Sequence, residues 1–176
     1  MVEVTEKSKM KNNVPPYATF PVLKGTNISL RQIEKSDLND ILEISFYDAI
    51  QATNVEVAAE MQSKIDEDYQ HGNTIHWGII ENNSNKIAGT CGYYRGFENH
   101  EGELGCVLLS QFQGKGYMSQ AMQLAIEFGF QEMKLNRIWA ATSMDNAAAI
   151  NLLKRLGFVK VRELPNNEVE CELLKK

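Results

Sequence analysis

Gln111-Phe112-Gln113-Gly114-Lys115-Gly116-Tyr117-Met118 is the stretch on which the reading of this chain turns. It follows a strand-like apolar run, Leu104-Gly105-Cys106-Val107-Leu108-Leu109, and it leads into a helix-like run from Ser119. A glycine-spaced turn between strand and helix lets several backbone N–H groups converge on one point. The helix start adds unpaired amides and the positive end of its dipole, so that point suits an anion. Lys115 adds a full charge, which either meets the anion or sits in solvent. The spacing is not that of a Walker A loop, which needs G-x-x-x-x-G-K-[ST]. Nor is it a dinucleotide fingerprint, because Ser119 stands where the third glycine belongs and the turn follows a hairpin block. On the glycines alone, a ligand-free tight turn and a cradle for a phosphate-bearing cofactor both remain open.

Working outward, the flanking pattern predicts one α+β (three-layer α/β) domain over 22–176, preceded by a loose polar arm over 1–21 that ends in Pro15-Pro16. Alternation of Ile28, Leu30 and Gln32 with Ser29 and Arg31 predicts a strand over 27–33. Lys35-Ser36-Asp37 reads as the start of a helix carrying Leu38, Ile41, Leu42 and Ile44. A second helix is expected over 55–70 and is broken by Gly72-Asn73. Strands follow at 74–80, 86–95 and 102–109, and their short connections imply antiparallel hairpins. Met118, Ala121, Met122, Ala125 and Phe128 form one stripe of a helix over 116–130. A strand at 137–142, a helix at 146–156 stopped by Gly157, and strands at 158–162 and 169–173 complete the order β-α-α-β-β-β-α-β-α-β-β.

Composition narrows the function. The chain has 176 residues, 43% hydrophobic and 23% charged, which is ordinary for a globular domain. No apolar run is long enough for a bilayer, and the first residues lack the apolar core of a signal peptide. Cys91, Cys106 and Cys171 show no metal-ligand spacing, so no metal is expected and a reducing, cytoplasmic setting fits. With a net charge of −5 and no basic patch, neither a nucleic-acid nor a membrane partner is expected.

Four segments together resemble the GNAT superfamily of acyl-CoA N-acyltransferases. Gln111, Gly114 and Gly116 fit its motif Q/R-x-x-G-x-G/A. The block from Arg137 through Asn146, with Asn151-Leu152-Leu153-Lys154-Arg155-Leu156-Gly157-Phe158, resembles its later motif. Gly102-Glu103-Leu104-Gly105 and the early Ile28–Arg31 strand are similar to the RimJ/RimL-type branch. The resemblance spans about 22–174. It implies a mostly antiparallel central sheet of about seven strands with flanking helices, and acetyl-CoA as co-substrate.

The same resemblance implies roles. Amides of Gln113, Gly114, Lys115, Gly116, Tyr117 and Met118 would hold the pyrophosphate. The preceding strand would bulge and splay from strand 137–142, and backbone groups of Val107 and Leu108 would bond the pantetheine amides. Asn146 would contact the same arm or cap its helix. Transfer to an amine needs a proton acceptor. Glu103 is the leading candidate, on the face shared with Gly105 and Val107; its other role is an ordinary strand carboxylate. Glu98, His100 and His76 are weaker candidates. Where many relatives carry a Tyr or Ser for the departing thiolate, this chain has Leu153 and Ala149. That leaves Tyr93, Tyr94 or Tyr117, water, or reduced activity. Cys106, in apolar surroundings, is expected to be inert, which favours direct transfer within a ternary complex. The acceptor is expected to be a primary amine, such as a protein N-terminus, with polyamines and amino-sugar antibiotics as alternatives. A homodimer is compatible, and a weakly catalytic acyl-CoA-binding module is the competing reading. Phe46, Tyr47, Tyr94 and Phe97 are candidates to line the acceptor surface, with several of them expected simply to pack.

Overall fold

The computed structural model describes residues 13–176. In chain order the elements are β1 (Leu23–Lys24), β2 (Ile28–Gln32), β3 (Phe46–Tyr47), β4 (Ile50–Gln51), α1 (Val55–Gln70), β5 (Ile75–Glu81), β6 (Ile87–Tyr93), β7 (Glu101–Leu108), α2 (Tyr117–Gln131), β8 (Arg137–Ser143), α3 (Ala147–Arg155), β9 (Val159–Leu164) and β10 (Glu168–Leu174). Eight strands form one sheet in the order β1-β2-β5-β6-β7-β8-β10-β9, and β3 and β4 form a separate hairpin. The expected sheet is therefore present, lengthened at one edge by the two-residue β1.

Every neighbour pair in the large sheet is antiparallel except β7 and β8, which run parallel. That exception follows from the connection. A parallel pair cannot be joined by a tight turn, and α2 supplies the crossover. The apolar stripe of α2 buries Ala121, Met122, Ala125 and Phe128. Trp77 of β5 meets Phe128 edge-on at 5.5 Å, and the Tyr93 hydroxyl of β6 donates to the Ala125 carbonyl at 2.7 Å. Alternation then turns His76 and Thr90 to the opposite face. There they line a small cavity with Ala58, Met61 and Ile65 of α1.

One element differs in kind from its sequence reading. The segment from Lys35 forms two short 3-10 turns, Lys35–Asp37 and Leu42–Ile44, rather than a helix. Asp37 explains the first turn. Its carboxylate accepts from the Glu34 amide at 2.8 Å and takes both guanidinium nitrogens of Arg31 at 2.7 and 3.0 Å. This bidentate clamp holds a tight turn in place of helical winding. By contrast α1 starts where expected, with the Asn54 side chain accepting from the Val57 amide, and ends before Gly72 at φ +79°.

The part of the expected arm that is described, 13–21, lies against the core. The Tyr17 amide donates to the Tyr69 hydroxyl at 3.0 Å, Tyr17 packs edge-on to Phe128, and the Pro21 carbonyl accepts from the Trp77 indole. Residues 1–12 of that arm lie outside the described residues. Among the described residues no helix is long and apolar enough to cross a membrane.

Candidate active site

The parallel pair β7–β8 is a fork. It is paired only at Glu101/Arg137, Gly102/Ile138 and Glu103/Trp139, and beyond those three registers the strands part. Charge ties the closed end. Arg137 reaches Glu101 at 3.0 Å, and Glu170 and Glu172 on β10 at 2.5 Å each. On its other side β7 stays in unbroken register with β6 from Leu104 to Leu108, so the expected splay is present and the expected bulge is not.

The register decides which β7 amides face the fork. Tyr94 N donates to Glu103 O, and Leu109 N to Ala88 O, so the odd residues of β7 bond to β6. The even residues turn their N–H and C=O groups the other way. Leu108 is one of them, as expected from sequence. Val107 is not. Its carbonyl crowds Gly89 of β6, and its side chain, 43% exposed, belongs to the opposite cleft. Cys106 takes the place expected for Val107.

Two clefts flank β7, one on each face. The first, about 570 Å³, is walled by β7, the 113–119 turn, β8 and α3. Gly114 and Gly116 both adopt φ +76°, and a Cβ at either would touch nothing within 4 Å. Glycine is needed there for the left-handed backbone, not for want of space. Among the described residues the amides of 114–119 donate to no protein acceptor, and α2 begins at Gly116 with no side-chain cap. Gln113, Gly114, Gly116, Tyr117, Met118 and Asn146 all line this cleft. Asn146 also caps α3, its side-chain oxygen accepting from the Ala149 amide at 3.1 Å.

Of the two roles open to the Lys115 side chain, the structure places it away from the turn-side cleft and half exposed. Its ammonium lies 3.5 Å from Glu81 on β5 and over the Phe112 and Tyr117 rings, and it does not line the cleft. The cation that does is Arg155, at the end of α3. Sequence reading missed it, although a basic residue in the last turn of a helix is a common sight.

The second cleft, about 690 Å³, lies on the other face of β7 and is lined by Glu103 and Val107 together with His76, Thr90, Tyr94 and Arg95. The Glu103 side chain is 15% exposed, and Arg95 Nε lies 2.6 Å from its Oε2. That contact lacks hydrogen-bond geometry, so the buried oxygen accepts no hydrogen bond. Burial pushes the Glu103 carboxyl above its ordinary range and Arg95 pulls against it. His76 Nδ1 is also buried without a partner, and burial lowers the imidazole to about 4, which keeps it neutral. Glu98 and His100, also considered as bases, sit in a turn outside this cleft.

Of the three tyrosines considered for the thiolate, Tyr93 is buried and bonded to Ala125, and Tyr117 donates to Glu81 at 2.5 Å. Tyr94 remains, its ring stacked so closely over Gly105 that a Cβ there would sit 1.9 Å from Cε2. Leu153 and Ala149 line the first cleft, where they supply no proton. Phe46 and Tyr47 line the second cleft, and Phe97 is buried in the core, where several of these aromatics were expected to pack. Asp48 and Asp68 also line it and were not foreseen. The only signal for Asp48 is its place in a two-residue hairpin turn, Asp48-Ala49, at φ +49°. Among the described residues no cluster of His, Cys, Asp and Glu could hold a metal ion.

Comparison with known proteins bears on this geometry. The model of the acetyltransferase (GNAT) domain family matches residues 27–159. A Bacillus licheniformis protein named as an uncharacterized N-acetyltransferase, p20, is 33% identical over 142 residues, covering 76% of this chain and 79% of its own. Among solved structures, the ribosomal-protein-S5-alanine acetyltransferase of Vibrio fischeri superposes with TM-score 0.71 at 23% identity, over 88% of this chain and 96% of its own. The dodecameric spermidine N-acetyltransferase of Vibrio cholerae superposes with TM-score 0.72 at 16% identity, over 85% and 95%. With the family's domain matched across most of its length and homologues named as N-acetyltransferases, this chain belongs to the GNAT family and is an N-acetyltransferase.

Proposed function

We propose that the protein transfers an acetyl group from acetyl-CoA directly to a primary amine of a small polycationic acceptor of the polyamine class. The observation that carries the reading is the fork. One strand, β7, presents unpaired backbone groups to a cleft with an anion cradle, and on its other face it presents a half-buried carboxylate to a second cleft.

On the donor side the amides of 114–119 and Arg155 suit the pyrophosphate of CoA, since both offer donors without covering the site. Cys106 and Leu108 offer amide groups to the pantetheine arm in the manner of strand addition. Asn146 keeps its side-chain amide nitrogen for the same arm while its oxygen caps α3. On the acceptor side an ammonium must lose a proton before its nitrogen can attack the thioester carbonyl. Glu103 takes that proton, directly or through one water. Tyr94, over Gly105 beside the fork, gives a proton to the departing thiolate.

The polycationic preference rests on Asp48, Asp68 and Glu103, which outnumber Arg95 in the acceptor cleft. A protein N-terminal amine is the second reading, favoured by the likeness in fold to a ribosomal-protein acetyltransferase. Amine-dependent release of CoA from acetyl-CoA tests both, using polyamines, peptides with free N-termini and amino sugars. The expected order of kcat/KM places polyamines first. Tight CoA binding with no amine-dependent release would leave an acyl-CoA-binding module. Mass spectrometry after acetyl-CoA alone is expected to find no acetylated protein; an acetyl-cysteine would overturn direct transfer.

A further inference from the structure

Cys91 and Cys106 face each other across β6 and β7. The hydrogen-bonded registers of this pair are the odd residues of β7, so Cys106/Cys91 is a non-bonded register, where side chains approach most closely. Such a register separates Cα atoms by about 4.5 Å, inside the span that a disulfide bridges, about 4.4–6.8 Å. As register partners the two thiols interact, and that interaction, ahead of burial, pushes the Cys91 thiol up. They differ in access. Cys91 is fully buried, while Cys106 is half-buried and lines the cleft assigned above to CoA. Sequence reading expected an inert Cys106 in apolar surroundings; the structure instead puts it on a cleft wall beside a second thiol.

We propose that Cys106 is a thiol–disulfide exchange site for the disulfide of coenzyme A, with Cys91 as the resolving thiol. The proposal rests on the CoA reading of the first cleft. A CoA unit held at the 114–119 turn runs its pantetheine along β7 towards Glu103, and Cys106 lies on that path between Leu108 and Glu103. The Cys106 thiolate attacks one sulfur of the CoA disulfide, forms a Cys106–CoA mixed disulfide and expels one CoA thiolate. The Cys91 thiolate then attacks the Cys106 sulfur, forms the Cys91–Cys106 bond and expels the second. The two cysteine protons end on the two CoA thiols, so the protein dithiol is oxidised as one CoA disulfide is reduced. The mixed disulfide fills the donor cleft and blocks acetyl transfer; the internal bond clears it.

The test treats the reduced full-length protein with CoA disulfide, or with glutathione disulfide at equal concentration, and reads intact mass and released thiol. Wild type is expected to lose the mass of two hydrogens, faster with CoA disulfide. Cys91→Ser and, as a second check on folding, Cys91→Ala are expected to trap one CoA per chain, removable by dithiothreitol. Cys106→Ser is expected to do neither. A CoA adduct on Cys171, a stable adduct on wild type, or equal rates with both disulfides would overturn the proposal. Binding of CoA to the reduced protein, measured by calorimetry, separates the two claims. If CoA binds and CoA disulfide leaves Cys106 unmodified, the exchange site alone fails. If CoA does not bind, the CoA reading fails with it.

Discussion

The two clefts on either side of β7 are built from different materials. The turn-side cleft draws most of its free polar groups from backbone: amides of 114–119, the even residues of β7, and glycines whose positive φ aims those amides. The Glu103-side cleft is mostly side chain, drawn from the β3–β4 hairpin, α1, β5, β6 and β7. A backbone site imposes a spacing on a short stretch of sequence, because only glycine tolerates the required φ. A side-chain site imposes no local spacing, since each group comes from a different segment. The contrast predicts that the turn-side cleft is broken through KM for acetyl-CoA, and the other through kcat and its pH dependence.

The largest effect is expected at Glu103. Glu103→Gln keeps the shape and removes the carboxylate proposed as proton acceptor, and general-base catalysis is worth about 10²–10⁴-fold. The kcat of this variant should fall by that order, with KM for acetyl-CoA near the wild-type value. Loss of acetyl-CoA affinity with little change in kcat would move Glu103 from the chemistry to the binding of the donor.

Next comes Gly116. At φ +76° an L-residue costs about 1–2 kcal/mol, roughly a 5–30-fold change in equilibrium. Gly116→Ala meets no neighbour, so the cost falls on the turn alone. Saturation kinetics should show KM for acetyl-CoA rising by about tenfold with kcat changed much less. An unchanged KM would show that the turn does not aim its amides at the donor.

The contrast also explains what was legible. Gly114, Gly116 and Asn146 sit where sequence put them because their backbone geometry leaves few alternatives. Lys115 was half-read: its charge is visible in the sequence, but Glu81, far away in the chain, decides where it points. Val107 failed for a reason of parity. The sequence specifies a strand, and only the observed register says which residues spend their amides on β6. The helix expected from Lys35 failed because the Arg31–Asp37 clamp, between side chains six residues apart, is one that apolar periodicity does not report. Asp48 and Asp68 come together only when the hairpin folds over α1, where Asp68 also accepts from the Tyr47 hydroxyl.

A smaller effect is expected at Arg95, and its sign is fixed. In its proposed role Glu103 must be ionised to take a proton, so activity is expected to fall as pH drops through its pKa. Burial raises that pKa and Arg95 lowers it. Arg95→Ala therefore starts the acid-side fall in kcat/KM at higher pH than in wild type. The Arg95 side chain is 75% exposed, so solvent screens the contact and the displacement should be modest. Raising the salt concentration should move the wild-type profile the same way. A displacement to lower pH would mean that Arg95 opposes catalysis by some other route.

The smallest effect belongs to Glu81, which touches neither cleft directly. Its Oε1 accepts from the Tyr117 hydroxyl and lies near the Lys115 ammonium, while Ser84 donates to its other oxygen. It thus ties the start of α2 to the end of β5, and the cradle amides inherit its position. Glu81→Gln retains one acceptor and weakens the charge-assisted bonds to Tyr117, Lys115 and Ser84. The surface setting reduces this, so KM for acetyl-CoA should rise only a few-fold while kcat holds. Glu81→Ala, which frees both Tyr117 and Lys115, should raise KM further, and the conservative variant should lie between it and wild type. If kcat moves instead, the β5–β6 end of the sheet is coupled to the carboxylate side of β7, and the division between a backbone cleft and a side-chain cleft is less clean than the register implies.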